Sequence, residues 1–267
     1  MKGGRQSRPK KERSVDEVQY ETSDGVAIIT INREQRRNAL NLAACKSLMR
    51  CWRLLEEDDS VRVGIVTGAG NKAFCAGFDI KEKQVDGRPN LHDFSPRPGT
   101  TCTVTKPLIA AVNGAAIAAG FALVEACDLC VVAENAWFAL TEVRLGIGLE
   151  NFVQSLWNLP QKVLMEMLIT GDPLPARRAY EVGFANRLVT NEELLPAALA
   201  MAQVIAANAP LVVRASKRML YDGQAAMGME RALDASHAAF EPVLRSADAK
   251  EGFAARAEGR PPRWQGR

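Results

Sequence analysis

Short hydrophobic runs alternate with amphipathic stretches along the first two-thirds of the chain. Runs of branched and small apolar residues predict buried strands at 26–31, 61–67 and 108–112. Between the first two strands, apolar side chains recur every three to four residues from Leu42 to Leu55, which predicts an amphipathic helix. This alternation of strand and helix is typical of an α/β domain with a largely parallel sheet.

The stretch 106–128 is the centre of this pattern. Its strand is followed by Asn113-Gly114, a pair that suits a tight turn with positive φ. Small residues from Ala115 to Gly120 then predict the opening of a helix. The first N–H groups of a helix have no partner within it, and small side chains would let a ligand oxygen reach them. Close packing in an α/β core would require the same small residues, so both interpretations stay open.

The last third of the chain has a helical pattern. It runs from Glu192 to Gly259, with breaks expected near Pro210, Gly223 and Gly228. The pattern is amphipathic enough to pack on the domain body or on another subunit. Upstream, residues 86–101 carry several prolines and predict a long loop of the kind that forms a lid or a pocket wall.

Charge and composition narrow the function classes. The chain has 267 residues, a net charge of +3 and 47% hydrophobic residues, which is ordinary for a globular protein. Residues 1–14 hold six basic side chains against one acidic one, so the rest of the chain is slightly acidic and no nucleic-acid partner is expected. No stretch approaches the ~20 apolar residues that span a bilayer, and the N-terminus lacks the apolar core of a secretory signal. We therefore expect a cytoplasmic protein with no membrane partner and a disordered tail at 1–14.

Cysteines and glycine motifs give no sign of a metal or a nucleotide cofactor. The six cysteines lie mostly in apolar patterns and are expected to be reduced core residues. Cys127 and Cys130 have CxxC spacing but no second pair, which disfavours a metal or redox site. No GxGxxG follows the first strand, and no GxxxxGK[ST] occurs.

Four separated motifs carry a resemblance to a known family. They are Ile29–Arg33 with Arg37–Asn41, Val66–Gly68 with Ala73–Ile80, Lys106–Asp128, and Phe138–Gly146. In this order and spacing they resemble the enoyl-CoA hydratase/isomerase (crotonase) superfamily, from about Val26 to the C-terminus. The runs AGFDIK at 76–81, MEMLITG at 165–171 and WQGR at 264–267 are most similar to carnitinyl-CoA-dehydratase-like members.

The resemblance implies a fold, an assembly and a substrate. The expected fold is α/β, a crotonase-like ββα spiral core with a helical C-terminal trimerisation region, in a homotrimer or a dimer of trimers. The expected segments are a disordered tail at 1–14, a core with the site at 15–200 and a helical oligomerisation region at 201–267. The substrate would be an acyl-CoA thioester, so that coenzyme A enters as part of the substrate and no separate cofactor is required.

The resemblance also implies an oxyanion hole. The backbone N–H groups of Phe78 and Ala119 would hold the thioester oxygen as it gains enolate charge, each contributing roughly 3–4 kcal/mol. Most relatives have glycine where Ala118 and Ala119 stand, and a helical φ would accommodate alanine at both positions.

Contacts to coenzyme A follow from the same motifs. The residues implied are Arg36, Arg37, Ala76, Phe78, Asp79, Ile80, Lys81 and Ala119. The two arginines would flank the diphosphate, and Asp79 would hold its loop through backbone hydrogen bonds. Family members often have a C-terminal lysine where Gly259 stands, so Arg256 or Arg260 would have to replace it.

The acid–base residues depart from the family pattern. Hydratases use two glutamates around one water; Glu142 matches the second, but Ala122 stands where the first is required. Glu125, one turn further along the helix, and Glu150 are the candidate replacements. The expected activity is that of an enoyl-CoA-processing lyase with Glu142 as acid/base. A single-glutamate Δ3-Δ2-enoyl-CoA isomerase and a catalytically silent CoA-thioester-binding protein are the alternatives.

Overall fold

The computed structural model describes residues 11–15, 17–79, 96–98, 102–148, 152–226, 228, 230–231, 233–234, 237, 241 and 245–263. The strands are β1 (Lys11–Val15), β2 (Val18–Ser23), β3 (Val26–Ile31), β4 (Val63–Gly68), β5 (Ala73–Cys75), β6 (Leu108–Val112), β7 (Ala115–Ile117), β8 (Leu129–Ala133), β9 (Trp137–Ala139), β10 (Leu174–Pro175) and β11 (Arg187–Val189). The helices are α1 (Leu42–Glu57), α2 (Ala119–Glu125), α3 (Ser155–Asn158), α4 (Gln161–Thr170), α5 (Ala176–Glu181), α6 (Asn191–Ala207), α7 (Pro210–Ala226) and α8 (Ala247–Glu258), with 3-10 turns at Glu34–Arg36 and Glu142–Leu145.

The strands form two sheets. The larger has the order β1-β2-β3-β4-β6-β8-β11, and the smaller has the order β10-β9-β7-β5. Strands β1 to β3 are antiparallel, whereas every pair from β3 to β11 is parallel. In the smaller sheet, β5, β7 and β9 are parallel and β10 is antiparallel to β9. The predicted α/β class with a largely parallel sheet is confirmed.

The larger sheet is buried on both faces, which explains its continuous apolar runs. On β4, Val63 and Ile65 pack against α6, where Ala198 is completely buried. Val66 points to the other face and joins the core that contains α1 and the smaller sheet. Each fully buried side chain of this size contributes about 1.5–3 kcal/mol relative to exposure.

Helix α1 forms where its pattern predicts. The side chain of Asn41 accepts a hydrogen bond from the Ala44 N–H at 2.8 Å and caps the first turn. Cys45, Leu48 and Leu55 lie on its buried face. On the same helix, the indole N–H of Trp52 donates to the Pro96 carbonyl at 2.5 Å. This bond anchors Pro96, which belongs to the predicted proline-rich loop.

The stretch after β6 differs from the sequence prediction. Asn113 and Gly114 do not have positive φ, and residues 115–117 form strand β7, so the helix begins only at Ala119. The reason is the buried Asn113 side chain, which accepts from the Gly68 N–H at 3.2 Å and donates to the Gly70 carbonyl at 2.7 Å. A Cβ on Gly114 would lie 2.4 Å from the Lys72 backbone, so this glycine is required for close approach of the chains.

Two further expectations are corrected. The tail at 1–14 was expected to be disordered, but residues 11–14 belong to β1, because the β2 backbone offers them an edge with which to pair. Gly223 does not break the C-terminal helices, since it lies within α7. Residues 1–10 lie outside the described residues.

Within the described part of the chain, no single helix is long and apolar enough to cross a membrane. Helices α6 and α7 are long and apolar enough only when taken together, and they are bent by 108° at the break between them. No disulfide joins any of the six cysteines, all of which lie among the described residues. Burial raises the pKa of Cys130 to about 12, which keeps its thiol protonated at neutral pH.

Candidate active site

The carboxyl ends of three parallel strands meet in the smaller sheet. Cys75 on β5 pairs with Ala116 on β7, and Ala116 pairs with Phe138 on β9. Phe78 and Ala119 each lie three residues beyond the first pair, and Glu142 lies four residues beyond Phe138. In α/β proteins, ligands bind at the carboxyl ends of parallel strands. The register therefore groups the predicted oxyanion donors and the predicted acid/base residue at one edge.

The backbone of Phe78 is clamped from one side. The Leu40 N–H donates to the Gly77 carbonyl at 2.8 Å, and the Asp79 N–H donates to the Leu40 carbonyl at 2.8 Å. Leu40 and Phe78 thus form a parallel bridge. Successive N–H groups of extended backbone point to opposite sides, so the Phe78 N–H points away from Leu40. Within the described residues, no acceptor is paired with it.

The Gly77 backbone brings this segment against the start of α2. Gly77 has φ +89, and a Cβ there would lie 3.2 Å from the Ala118 Cβ and 3.7 Å from the Ala119 nitrogen. The Ala119 N–H is likewise unpaired among the residues that the structure describes. The two predicted donors are thus close neighbours, and neither N–H is used by the protein's own hydrogen bonds there.

Ala118 corrects an expectation about backbone conformation. A helical φ was expected at Ala118 and Ala119, but Ala118 has φ 53 and ψ −119 and immediately precedes the helix. Its own N–H is held by the Ala139 carbonyl at 3.0 Å, which sets this unusual conformation. A non-glycine residue in such a region costs about 1–3 kcal/mol, so the surrounding strands hold Ala118 under strain.

Gly120 supports the packing interpretation of the small-residue stretch. A Cβ at Gly120 would lie 2.1 Å from the Cys75 carbonyl oxygen, too close for any side chain. Packing therefore requires glycine at 120, while the site edge is formed by its neighbours at 118 and 119.

Glu142 lies at the start of the 3-10 turn after β9. Its side chain is enclosed, since the residue is 7% exposed. The turn is closed by the Ile147 N–H, which donates to the Glu142 carbonyl at 3.2 Å. Because the Ala118 N–H is bonded to the Ala139 carbonyl, the end of β9 is fastened directly to the start of α2, and Glu142 follows Ala139 by three residues.

Glu125 is buried, although it was expected to face the same side as Ala122. The two residues are one turn apart on α2, but their surroundings differ, because Ala119 and Ala122 are half-buried whereas Glu125 is 2% exposed. Its carboxylate accepts a hydrogen bond from the Ser155 hydroxyl at 2.6 Å. Burial raises the pKa of Glu125 to about 7, against the lowering effect of that hydrogen bond and of Arg97.

The predicted coenzyme A residues fall into three groups. Arg36 and Arg37 are exposed, and the Arg37 carbonyl accepts from the Ala76 N–H at 3.1 Å, so these residues are adjacent. Phe78 and Asp79 continue the same loop. Ile80, Lys81 and the candidate acid Glu150 lie outside the described residues.

The two C-terminal arginines have different environments. Arg260 forms ion pairs with Glu251 and Glu258, the second at 2.6 Å. The hydrogen bond from Arg260 lowers the pKa of Glu251 to about 2. Arg256 is exposed on the last turn of α8. Of the two candidates for the missing lysine, Arg260 is engaged by neighbouring carboxylates.

Sequence reasoning missed the role of Arg33. This residue was noted only as part of a motif, yet it is 8% exposed and its guanidinium contacts Glu17, Asp79 and the Ala39 carbonyl. The only sign of these contacts in the sequence was an arginine two residues after a buried strand, because its partners are distant in the chain. Among the described residues, no group of His, Cys, Asp and Glu side chains is arranged to hold a metal ion.

The fold and the site define an α/β protein with candidate oxyanion donors and an enclosed carboxylate at the carboxyl edge of a parallel sheet. The family model for enoyl-CoA hydratase/isomerase matches residues 21–267. The chain belongs to the enoyl-CoA hydratase/isomerase family, and its fold is that of the crotonases. The resemblance drawn from the four motifs is confirmed.

Named relatives refine this assignment. The (E)-benzylidenesuccinyl-CoA hydratase of Thauera aromatica is 35% identical over 263 residues, covering 93% of this chain and 99% of the relative. The carnitinyl-CoA dehydratase of Proteus mirabilis is 35% identical over 256 residues, covering 92% and 97%. A crystal structure of carnitinyl-CoA hydratase from Mycobacterium avium superposes with a TM-score of 0.83 at 35% identity, covering 95% of this chain and all of that one. The likeness to carnitinyl-CoA-dehydratase-like members is therefore also confirmed.

Proposed function

We propose that this protein adds water to, or removes water from, an acyl-CoA thioester at the edge formed by β5, β7 and β9. The observation that carries the proposal is the register of β5, β7 and β9, in which Cys75, Ala116 and Phe138 pair and the chain then continues over three or four residues to Phe78, Ala119 and Glu142. The hydratase and dehydratase names of the relatives support the same reaction class.

The backbone amides supply electrostatic stabilisation in this proposal. The N–H groups of Phe78 and Ala119 donate to the thioester oxygen, which becomes an enolate oxygen in the reaction. Fixed donors of this kind need no reorganisation as the charge develops, and each is worth about 3–4 kcal/mol in comparable sites. The two N–H groups are free to do this, because the described residues offer them no internal acceptor.

Glu142 moves the protons. In the dehydration direction, its carboxylate removes the proton from the α carbon, and the electron pair passes to the thioester as an enolate. The enolate then expels the β hydroxyl, which takes that proton from Glu142 and leaves as water. Hydration is the reverse. One carboxylate is sufficient when the proton and the hydroxyl leave from the same face.

Coenzyme A would extend from this edge across the adjacent loop. Ala76 and Asp79 lie beside it, and the exposed Arg36 and Arg37 are placed to pair with the diphosphate. Contacts of coenzyme A with Ile80, Lys81 and Arg256 remain predictions.

A Δ3-Δ2-enoyl-CoA isomerase is the second candidate. It is favoured by one observation: Ala122 lies on the half-buried face with Ala119, and the nearby Glu125 is turned into the interior. Moving a double bond requires one base that removes a proton from one carbon and returns it to another. Glu142 would be sufficient for that reaction.

A pair of absorbance assays separates these functions. Loss of the conjugated thioester absorbance of crotonyl-CoA reports hydration, and gain of that absorbance from a 3-enoyl-CoA reports isomerisation. We expect the first signal. A protein that gives neither signal but binds CoA esters saturably would be the silent binding protein instead, and the catalytic proposal would be wrong.

We further propose that the chain acts in the cytoplasm as a homotrimer or a dimer of trimers, with no nucleic-acid or membrane partner. Support for assembly comes from α7, whose large apolar side chains are exposed in the single chain: Leu211 79%, Val212 64%, Met219 72% and Leu220 59%. Surfaces of this kind mark contacts between subunits. Sedimentation equilibrium measures the mass directly, and a monomer at micromolar concentration would contradict the proposed assembly.

A further inference from the structure

The buried side chain of Arg33 connects three segments around the Phe78 loop. Its Nη2 is 3.2 Å from an Asp79 carboxylate oxygen, its Nη1 donates to the Ala39 carbonyl, and its Nε pairs with Glu17. The side chains of Arg33 and Asp79 are only 10% and 8% exposed. All three donor positions of the guanidinium are therefore occupied, and only the Glu17 carboxylate, 27% exposed, is partly open to solvent.

Two of these partners directly flank the clamp on Phe78. Ala39 precedes Leu40, whose N–H and carbonyl bond to Gly77 and Asp79 at 2.8 Å each. Asp79 follows Phe78. Arg33 thus joins the strand-like segment of Leu40 to the segment of Phe78 by a second, side-chain connection, in addition to the backbone bridge.

A third connection fixes the position of this assembly on the domain. Glu17 accepts a hydrogen bond from the Asn41 side chain at 3.1 Å, and Asn41 caps α1. Arg33 itself is anchored, because its N–H donates to the buried Asn38 side chain at 3.0 Å. The Asn38 amide in turn donates to the Ala73 carbonyl at 2.7 Å, at the start of β5. The backbone of Arg33 is therefore tied through Asn38 to the strand that leads to Phe78.

We propose that Arg33 is a positioning residue that sets the direction of the Phe78 N–H, and so the strength of its bond to the thioester oxygen. This inference rests on the proposed function. A planar guanidinium offers donors in several fixed directions, whereas a lysine ammonium on a flexible stem cannot hold the same three acceptors. Exchange of Arg33 for lysine keeps the positive charge but loses the fixed directions of the three hydrogen-bond donors. The Phe78 N–H therefore loses its alignment with the thioester oxygen.

The test compares Arg33→Lys with Asp79→Asn and with a matched control. The control is Arg177→Lys, because the Arg177 side chain is 71% exposed and, among the described residues, its ion pair is with the exposed Glu134 at 4.0 Å. For Arg33→Lys we expect kcat to fall about 10- to 100-fold, since loss of a complete oxyanion donor costs about 10²–10³. KM should change less than about threefold, because the interaction is strongest in the transition state. The control should match the wild type.

A vibrational measurement separates alignment from stability. The carbonyl stretch of a bound ¹³C-labelled thioester falls when the oxygen accepts hydrogen bonds, and in Arg33→Lys it should return toward the value of the free ester. Unchanged kcat with an unchanged carbonyl stretch in Arg33→Lys would overturn this inference alone. If the lysine variant does not fold, Asp79→Asn decides: a smaller carbonyl shift supports the inference and a wild-type shift overturns it. A wild-type protein with no turnover and no carbonyl shift would overturn the proposed function together with this inference.

Discussion

The two ends of helix α2 differ in whether their polar groups form hydrogen bonds with other protein groups. At the C-terminal end, the Glu125 carbonyl accepts from the Gln154 side chain at 2.9 Å and its carboxyl group accepts from Ser155 at 2.6 Å. At the N-terminal end, Ala118 has positive φ, and the Ala119 N–H has no acceptor among the described residues. Protein groups therefore bond to the C-terminal end of α2, whereas the N-terminal end is left available.

This difference shows why burial of a carboxylate does not identify a site. Glu125 and Glu142 are 2% and 7% exposed, so exposure does not distinguish them. Their positions do, because Glu142 follows β9 in the same sheet as the two strands that lead to Phe78 and Ala119, whose N–H groups have no acceptor among the described residues, whereas Glu125 faces hydroxyl and amide side chains of α3. A site forms where strand ends converge and the protein leaves donors unused.

The largest expected effect is on turnover, at the candidate site near the N-terminal end of α2. Glu142→Gln keeps the size of the side chain but removes the base, so we expect kcat to fall about 10²–10⁴-fold. Binding of the CoA ester, measured by calorimetry, should be retained. Glu125→Gln is the matched control, with a change in kcat of less than about threefold, since it changes the other buried carboxylate in the same way. A Glu142→Gln variant that turns over normally would remove Glu142 from the mechanism.

The next effect concerns stability at the C-terminal end. A carboxyl group whose pKa is raised to about 7 in the folded state binds more protons when folded than when unfolded. Its contribution to the free energy of unfolding is therefore present below about pH 4.5 and is lost as the pH rises through about 7. Relative to Glu125→Gln, the wild type should lose up to about 3 kcal/mol between these limits. Urea unfolding of both proteins from pH 5 to pH 8 measures this difference, and parallel pH curves would contradict it.

A smaller effect is expected for the partner of Glu125. Ser155→Ala removes the donor to the buried carboxylate and should cost about 1–3 kcal/mol in unfolding free energy. The cost should be larger at pH 8 than at pH 5, because a hydrogen bond to the ionised form is the stronger one. An equal cost at both pH values would show that Glu125 does not change its charge in this range.

The smallest effect should be a gain in stability. Ala118→Gly relieves the positive φ before α2, and we expect the free energy of unfolding to rise by about 1 kcal/mol after the entropy of glycine in the unfolded chain is subtracted. Ala115→Gly in strand β7 is the contrasting variant, and it should destabilise the protein, since that position has no positive φ. If both variants lose stability, Ala118 is not strained.

Much of the fold could be predicted from local patterns. The strand at 26–31 and helix α1 follow from periodic apolar residues, because each buries one face or one stripe against the core. Strand β7 could not be predicted in this way. Its three small residues are compatible with helix or strand, and the choice depends on pairing with β5 and β9 and on the buried Asn113 side chain.

The candidate site could also be predicted from the sequence only in part. The motifs named Phe78, Ala119 and Glu142 as a group, since the order and spacing of short motifs are written along the chain. The orientation of Glu125, the strain at Ala118 and the contacts of Arg33 could not be read there. Whether a residue on a helix faces a cleft or the interior depends on the elements packed around that helix, as Ser155 is packed against Glu125, and a buried guanidinium binds carboxylates and carbonyls that lie far from it in sequence. Residue identity therefore established the family, whereas three-dimensional packing determined which backbone N–H groups are left without an acceptor among the described residues and which carboxylate is held by α3.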